Sequence, residues 1–191
     1  MRILVGYATA HGSTRTVAER IAGVLARHGH APDVESLDEA GPPVGYDAAV
    51  LGSAVHNGRW LPTGSDFIRR HGTLLASHPV WLYSVGSQGE RSGAFGAAAA
   101  QRIRVAREQQ RSGELRQLRN AVHPRDHHDF AGVVTAEHLP LAGRLAVRAM
   151  GGHFGDHRDW TEIDDWAESV ARALTSGGGG GSGGEEHPSL G

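Results

Sequence analysis

"GYATAHGSTRTVAERI", Gly6 to Ile21, decides how the rest of this chain is read. An apolar run ends at Tyr7, small and polar residues follow, and a helical pattern begins with Val17 and Ile21. Thr9–Thr14, "TAHGST", therefore stands where a first strand hands over to a first helix. That position suits an anion. A helix start leaves backbone N–H groups unpaired and carries partial positive charge. Gly12 lets the backbone close around a ligand, and the hydroxyls of Thr9, Ser13 and Thr14 can donate to phosphate oxygens. A simpler reading has Ser13 merely capping the helix.

Outward from this stretch, short apolar runs alternate with helical stripes. Strands are expected at Ile3–Tyr7, Asp33–Ser36, Ala48–Ala54, Val80–Val85 and Ala131–Ala136. Val17, Ile21, Val24 and Leu25 form one helical stripe, closed at His28-Gly29. Phe67, His71, Leu74 and Leu75 form a second, ended by Pro79, and Ile163, Trp166, Val170 and Leu174 a third. Strand and helix in rotation imply an α/β fold: a doubly wound, open parallel sheet with helices on both faces. Ligands of such sheets bind beyond the carboxyl ends of the strands, so the informative loops follow Tyr7, Ala54 and Val85.

Composition narrows the chemistry. The 191 residues carry a net charge of −2, which offers no basic field for nucleic acid. Cysteine is absent, which removes disulfides, thiolate metal sites and thiol nucleophiles. All 19 cationic side chains are arginine, so there is neither a Schiff-base lysine nor a Walker lysine. No G-x-G-x-x-G follows the first strand, and no G-x-x-x-x-G-K-[ST] occurs. A single phosphate suits the loop better than a pyrophosphate or triphosphate. No metal is expected from the thirteen histidines: "HPRDHHDF", His123–Phe130, reads as a solvated loop, and His153 and His157, though spaced like helix ligands, stand beside Gly152 and Gly155, which argue for a loop.

One folded domain is expected over residues 1–174, followed by a disordered Gly/Ser-rich tail over 175–191. With no apolar run of membrane-spanning length and no signal-like start, the expected location is cytoplasmic, with at most peripheral membrane contact. Glu90–Arg119 has seven Arg against three Glu and reads as a crossover helix with a solvated face, with a break at Ser112-Gly113.

The first strand, the [ST]-x-x-G-x-T loop and the helix after it resemble the phosphate loop of the flavodoxin family, which binds FMN. "DAAVLGSAVHNGRWLPTGSDFIRRH" (Asp47–His71), "VWLYSVG" and "MGGHFGDHRDWTEIDDWAESVARAL" resemble one branch of it, the menaquinone-dependent protoporphyrinogen IX dehydrogenases. That resemblance implies a five-stranded sheet of order 2-1-3-4-5 with FMN as cofactor. It implies a phosphate site of Thr9, Ala10, His11, Gly12, Ser13 and Thr14, and a ring site flanked by Ala54, Val55, His56, Asn57, Gly58 and Trp60 on one side. Val85, Gly86, Ser87 and Gly89 would hold the far edge of the ring.

No side-chain acid or base is then obligatory, because the flavin carries the redox step. The Asn57-Gly58 peptide would tune it by turning its carbonyl toward N5–H of the reduced ring. Trp60 either stacks on that ring or anchors the loop on the following helix. Arg59 and Arg91 make a basic rim, which suits a small anionic redox substrate such as a porphyrinogen, with a quinone as acceptor. Arg102, Arg104, Arg107 and Arg111 would extend that surface. The alternative is an electron carrier that serves a redox partner protein and has no small substrate of its own. Its kind usually surrounds the flavin with carboxylates.

Overall fold

The computed structural model describes residues 1–56, 58–86, 113–134 and 155–177. Strand β1 (Arg2–Ala8) is buried over Ile3–Gly6, and its alternation sends Ile3 and Val5 to one face of the sheet and Leu4 to the other. It pairs in parallel with β2 (Ala31–Ser36) on one side and with β3 (Ala48–His56) on the other. Beyond β3 come β5 (Val80–Gly86) and β6 (Asp126–Ala131), also parallel, so the order is β2-β1-β3-β5-β6. The expected 2-1-3-4-5 order is therefore the one adopted. A two-residue strand, β4 (Arg59–Trp60), adds to it by folding back antiparallel on β3.

Helix α1 (Ser13–Arg27) buries Val17, Ile21, Val24 and Leu25, the stripe read from the sequence. It stops where His28 and Gly29 stand. Gly29 takes φ 81°, its N–H bonds the carbonyl of Ala26, and His30 N–H bonds that of Leu25. These two reversed bonds satisfy carbonyls that the helix end would otherwise leave unpaired. Helix α2 (Pro62–Leu75) opens on a proline, which suits a first helical position because its missing N–H would have had no partner there. Helical residues 113–122 form α3. Helix α4 (Trp160–Gly177) is capped by Asp159, whose Oδ1 accepts from the N–H groups of Thr161 and Glu162.

The helices cover both faces. Side chains of α1 and α4 pack with Ile3, Val5, Val50, Trp81 and Tyr83 in one core. Side chains of α2 and α3 pack with Leu4, Leu51 and Leu82 in the other. Both faces are closed, which is why the central strands read as continuous apolar runs.

The fifth strand is not where the sequence suggests. It occupies Asp126–Ala131, inside the segment read as a solvated loop, and only Ala131 falls within the expected Ala131–Ala136. Val133–Val134 instead forms β7, which pairs antiparallel with β8 (Gly155–Asp156) in a separate ribbon. β6 has few apolar residues because it is an edge strand and its polar side chains find partners. Trp166 Nε1 donates to Asp126 Oδ2 at 2.7 Å, and His128 Nε2 lies 3.0 Å from Glu162 Oε1. A composition rule sees the polar residues; docking of α4 supplies what they bind.

The last helix also runs past the expected boundary at 174. It continues to Gly177, with Thr175 Oγ1 donating to Ala171 O and Ser176 Oγ to Arg172 O. Both hydroxyls bond back to carbonyls of the preceding turn, as Ser and Thr within helices do. Residues 178–191, most of 90–119 and all of Glu137–Gly152 lie outside the described residues. Among the described residues no helix is long and apolar enough to cross a membrane.

Candidate functional site

The chain leaves β1 for β2 on one side and returns to β3 on the other, so the order of strands switches between β1 and β3. Their carboxyl ends lie side by side, with Ala8 opposite Ser53, and β5 follows with Val85 opposite Ala54. The loops after Ala8, His56 and Gly86 thus leave the same edge of the sheet, at the place where such folds open a crevice.

In the first loop, Gly12 is the N-cap of α1, at φ 87° and ψ −14° in the left-handed region. A Cβ there would meet nothing within 4 Å, so the space above Gly12 is open and its conformation alone favours glycine. Gly12 N–H donates to Thr9 Oγ1 at 2.9 Å, which curls the loop back on itself. No side chain caps the helix. Ser13 is its first residue rather than its cap, and the simple capping reading is therefore corrected.

Thr14 gives the clearest signal. It is wholly buried, and among the described residues its Oγ1 has no hydrogen-bond partner. Leaving a hydroxyl dry and unpaired costs about 1–3 kcal/mol, so a partner is missing from the loop itself. An uncapped helix start, a left-handed glycine and an orphaned hydroxyl, without any lysine, suit the oxygens of one phosphate group. Thr9, Gly12 and Ser13 are half-buried, while Ala10 and His11 are exposed.

The second loop is a β-hairpin. Val55 pairs with Trp60 and His56 with Arg59, so the hairpin closes tightly, with Gly58 at φ 75°. Asn-Gly is the sequence pair such tight hairpins favour. Asn57 itself lies outside the described residues, as do Ser87, Gly89, Arg91, Arg102, Arg104, Arg107 and Arg111. Ala54, Val55 and Gly86 are half-buried at the strand ends, and His56 is exposed.

Trp60 is not at the rim. Its indole is 6% exposed, packs in the α2–α3 core, and donates from Nε1 to Ser84 Oγ at 2.9 Å. Ser84 Oγ in turn lies 2.8 Å from His127 Nε2. The cavity between Trp60, Ser84, Glu114 and Leu118 measures about 10 Å³, room for no more than one water. Of the two readings of Trp60, the anchor is the one this structure contains; the indole has no free face for stacking.

Arg59 is also committed elsewhere. Its Nε donates to Glu114 Oε2 at 3.3 Å, while Arg69 Nη2 reaches Glu114 Oε1 at 3.4 Å. The carboxylate is buried, and both guanidinium groups are near half exposed. Sequence reasoning passed over Glu114 because it is one acid in an arginine-rich segment, and only packing of α3 against the hairpin shows its role.

A further group was missed. Arg158, in the turn before α4, donates from Nε to Asp156 Oδ1 at 2.8 Å and from Nη1 to Thr16 Oγ1. Its guanidinium lies 4.6 Å from the centre of the Trp160 ring. Hydrogen bonds from Arg158 hold the Asp156 carboxyl down at a pKa of about 2. Arg158 and Asp156 lie in the C-terminal segment that carries the family resemblance, but nothing local to them signals that Arg158 meets the first turn of α1.

A doubly wound sheet whose switch point faces an uncapped helix start with a left-handed glycine is of the class that opens a ligand crevice at that edge. The chain belongs to the flavodoxin domain family, whose profile matches residues 4–159. This family implies a flavin cofactor.

Among curated proteins, the protoporphyrinogen IX dehydrogenase [quinone] of Escherichia coli K12 is 31% identical over 87 residues. That match takes in 44% of this chain and 48% of the relative, so it spans about half the length of the curated protein. Among solved structures, a flavodoxin from the domain Archaea aligns with TM-score 0.54 at 15% identity, over 92% of this chain and 99% of its own. The rubredoxin oxygen:oxidoreductase of Desulfovibrio gigas aligns with TM-score 0.59 at 13% identity, over 92% of this chain and 36% of its own. At such identities the structural matches speak to the fold.

Proposed function

We propose that this chain binds FMN at the switch point between β1 and β3 and acts as an oxidoreductase resembling the protoporphyrinogen IX dehydrogenases. The observation that carries the reading is the orphaned Thr14 hydroxyl beside the left-handed Gly12. Thr9, Ser13, Thr14 and the amides of residues 10, 11, 13 and 14 would hold the phosphate, around the turn that the Gly12 N–H closes on Thr9 Oγ1. The β3–β4 hairpin and the end of β5 would flank the ring, with Ala54, Val55, His56, Gly58, Val85 and Gly86 in reach of it by their place at that edge. Bound there, the flavin would supply the redox chemistry, taking hydride or electrons from a reduced substrate for delivery to a quinone or other acceptor.

The residues of the chain do the rest. Gly58, already at φ 75°, gives the hairpin turn the freedom to re-aim a peptide carbonyl. His56 beside the turn and Arg59 across from it put basic side chains on the hairpin, which favours an anionic small substrate. Partial identity to a porphyrinogen dehydrogenase supports that choice.

The pairing of Arg59 with Glu114 favours a second reading. A guanidinium engaged by a buried carboxylate contributes less to a substrate clamp, and an electron carrier serving a protein partner needs none.

One series of measurements separates these. Purified protein titrated with FMN should show flavin absorbance and fluorescence quenching, and Gly12→Val should abolish both. Anaerobic turnover of a porphyrinogen then marks the enzyme; bleaching by a protein donor without small-molecule turnover marks the carrier. Wild-type protein that stays colourless at millimolar FMN overturns the cofactor assignment.

A further inference from the structure

The first turn of α1 contains no acidic residue, and Arg15 lies within it. A helix start already carries partial positive charge, so a cation drawn to it has the wrong sign unless an anion shares the site. Arg158 is drawn there nonetheless. Its Nη1 donates to Thr16 Oγ1, and Thr16 Oγ1 donates to Ser13 O at 2.9 Å. A single hydroxyl thus separates the guanidinium from the residue that opens the helix.

The side chain is not a loose surface arginine. It is 14% exposed, gripped by both oxygens of Asp156, and lies over the Trp160 ring. Asp156 belongs to β8 and is paired with Val133 of β7, so the guanidinium is braced from a short ribbon outside the main sheet. Such bracing lowers the entropy cost of holding a long side chain in one place.

We infer that Arg158 is a specificity-determining residue for the phosphorylated cofactor: it acts through Thr16 and the first turn of α1 to favour FMN over riboflavin. The inference rests on the FMN reading above. Asp156 offsets part of the positive charge, yet it lies on the far side of the guanidinium from Thr16 in the bonding sequence Asp156–Arg158–Thr16. The phosphate, carrying more than one negative charge, meets the helix start and the cation together. Riboflavin, without phosphate, gains nothing from either.

The test compares dissociation constants of FMN and riboflavin by flavin fluorescence quenching for wild type, Arg158→Gln, Arg158→Lys and Arg27→Gln. Arg27 lies in the last turn of α1 and controls for net charge. Arg158→Gln is expected to weaken FMN about five- to tenfold while riboflavin changes less than about twofold, the order of effect expected from losing one partly screened charge near a phosphate. Arg158→Lys should recover most of the loss, and Arg27→Gln should show none of it. Affinity of the wild type for FMN should also fall more steeply with added salt than that of Arg158→Gln.

Equal weakening of both flavins by Arg158→Gln assigns the residue a purely structural part and overturns the inference. So does an unchanged FMN affinity. Wild type that binds riboflavin and FMN alike refutes the role of Arg158 while leaving a flavin site, whereas wild type that binds neither removes the FMN reading itself.

Discussion

The indole of Trp60 and the hydroxyl of Ser84 meet in the core, Nε1 to Oγ, at 2.9 Å. They join the hairpin strand β4 to the end of β5, two segments that a flavin would touch from outside. Because Ser84 Oγ also lies within hydrogen-bond distance of His127 Nε2, one small side chain links three strands. Ser84→Ala would leave the buried indole N–H unpaired and should lower unfolding free energy by about 1–3 kcal/mol. Trp60→Phe should leave the spectrum and quenching of bound FMN unchanged, since the indole is not at the ring. A quenching loss in the Phe variant, measured at saturating FMN, would place Trp60 back beside the cofactor.

Thr14→Val should separate folding from binding. The variant removes an unpaired buried hydroxyl and keeps the shape, so the flavin-free protein should be as stable as wild type or more stable by about 1 kcal/mol. FMN affinity should fall at least tenfold, as expected for a lost hydrogen bond to a charged group. Denaturation of flavin-free protein and FMN titration read the two effects, and their opposite signs are the prediction.

Gly52→Ala should be costly. A Cβ at Gly52 would lie 2.0 Å from Cζ of Tyr83, whose ring is wholly buried and whose hydroxyl donates to Gly6 O. Neither residue can step aside between two packed helices, so the substitution should cost about 2–3 kcal/mol. In a Tyr83→Val background most of that cost should vanish. Urea melts of the four proteins give the coupling directly.

Acid should release the brace on Arg158. The folded pKa of Asp156, about 2, lies below the ordinary value near 3.9, so its contribution is fully present above about pH 4 and is lost as pH falls toward 2. The carboxylate is partly exposed, and screening limits the effect to at most about 1 kcal/mol. Asp156→Asn should be less stable than wild type by that amount at pH 7. The difference should close between pH 4 and pH 2 in denaturant titrations.

What the chain alone determined is the alternation of apolar runs and helical stripes, the closure of α1 at His28-Gly29, and the small, hydroxyl-rich turn at Thr9–Thr14. These are local: periodicity, turn chemistry and the missing lysine are properties of neighbouring residues. The tertiary structure decided the rest. Polar Asp126–Asp129 became a strand because α4 and β5 supply its partners. Trp60 turned inward because Ser84 waits across the sheet, and Arg59 turned toward Glu114 from 55 residues away. Arg158 reached α1 across 142 residues of chain. Partners so far apart in the chain leave no periodic trace; only folding decides which buried polar groups become neighbours.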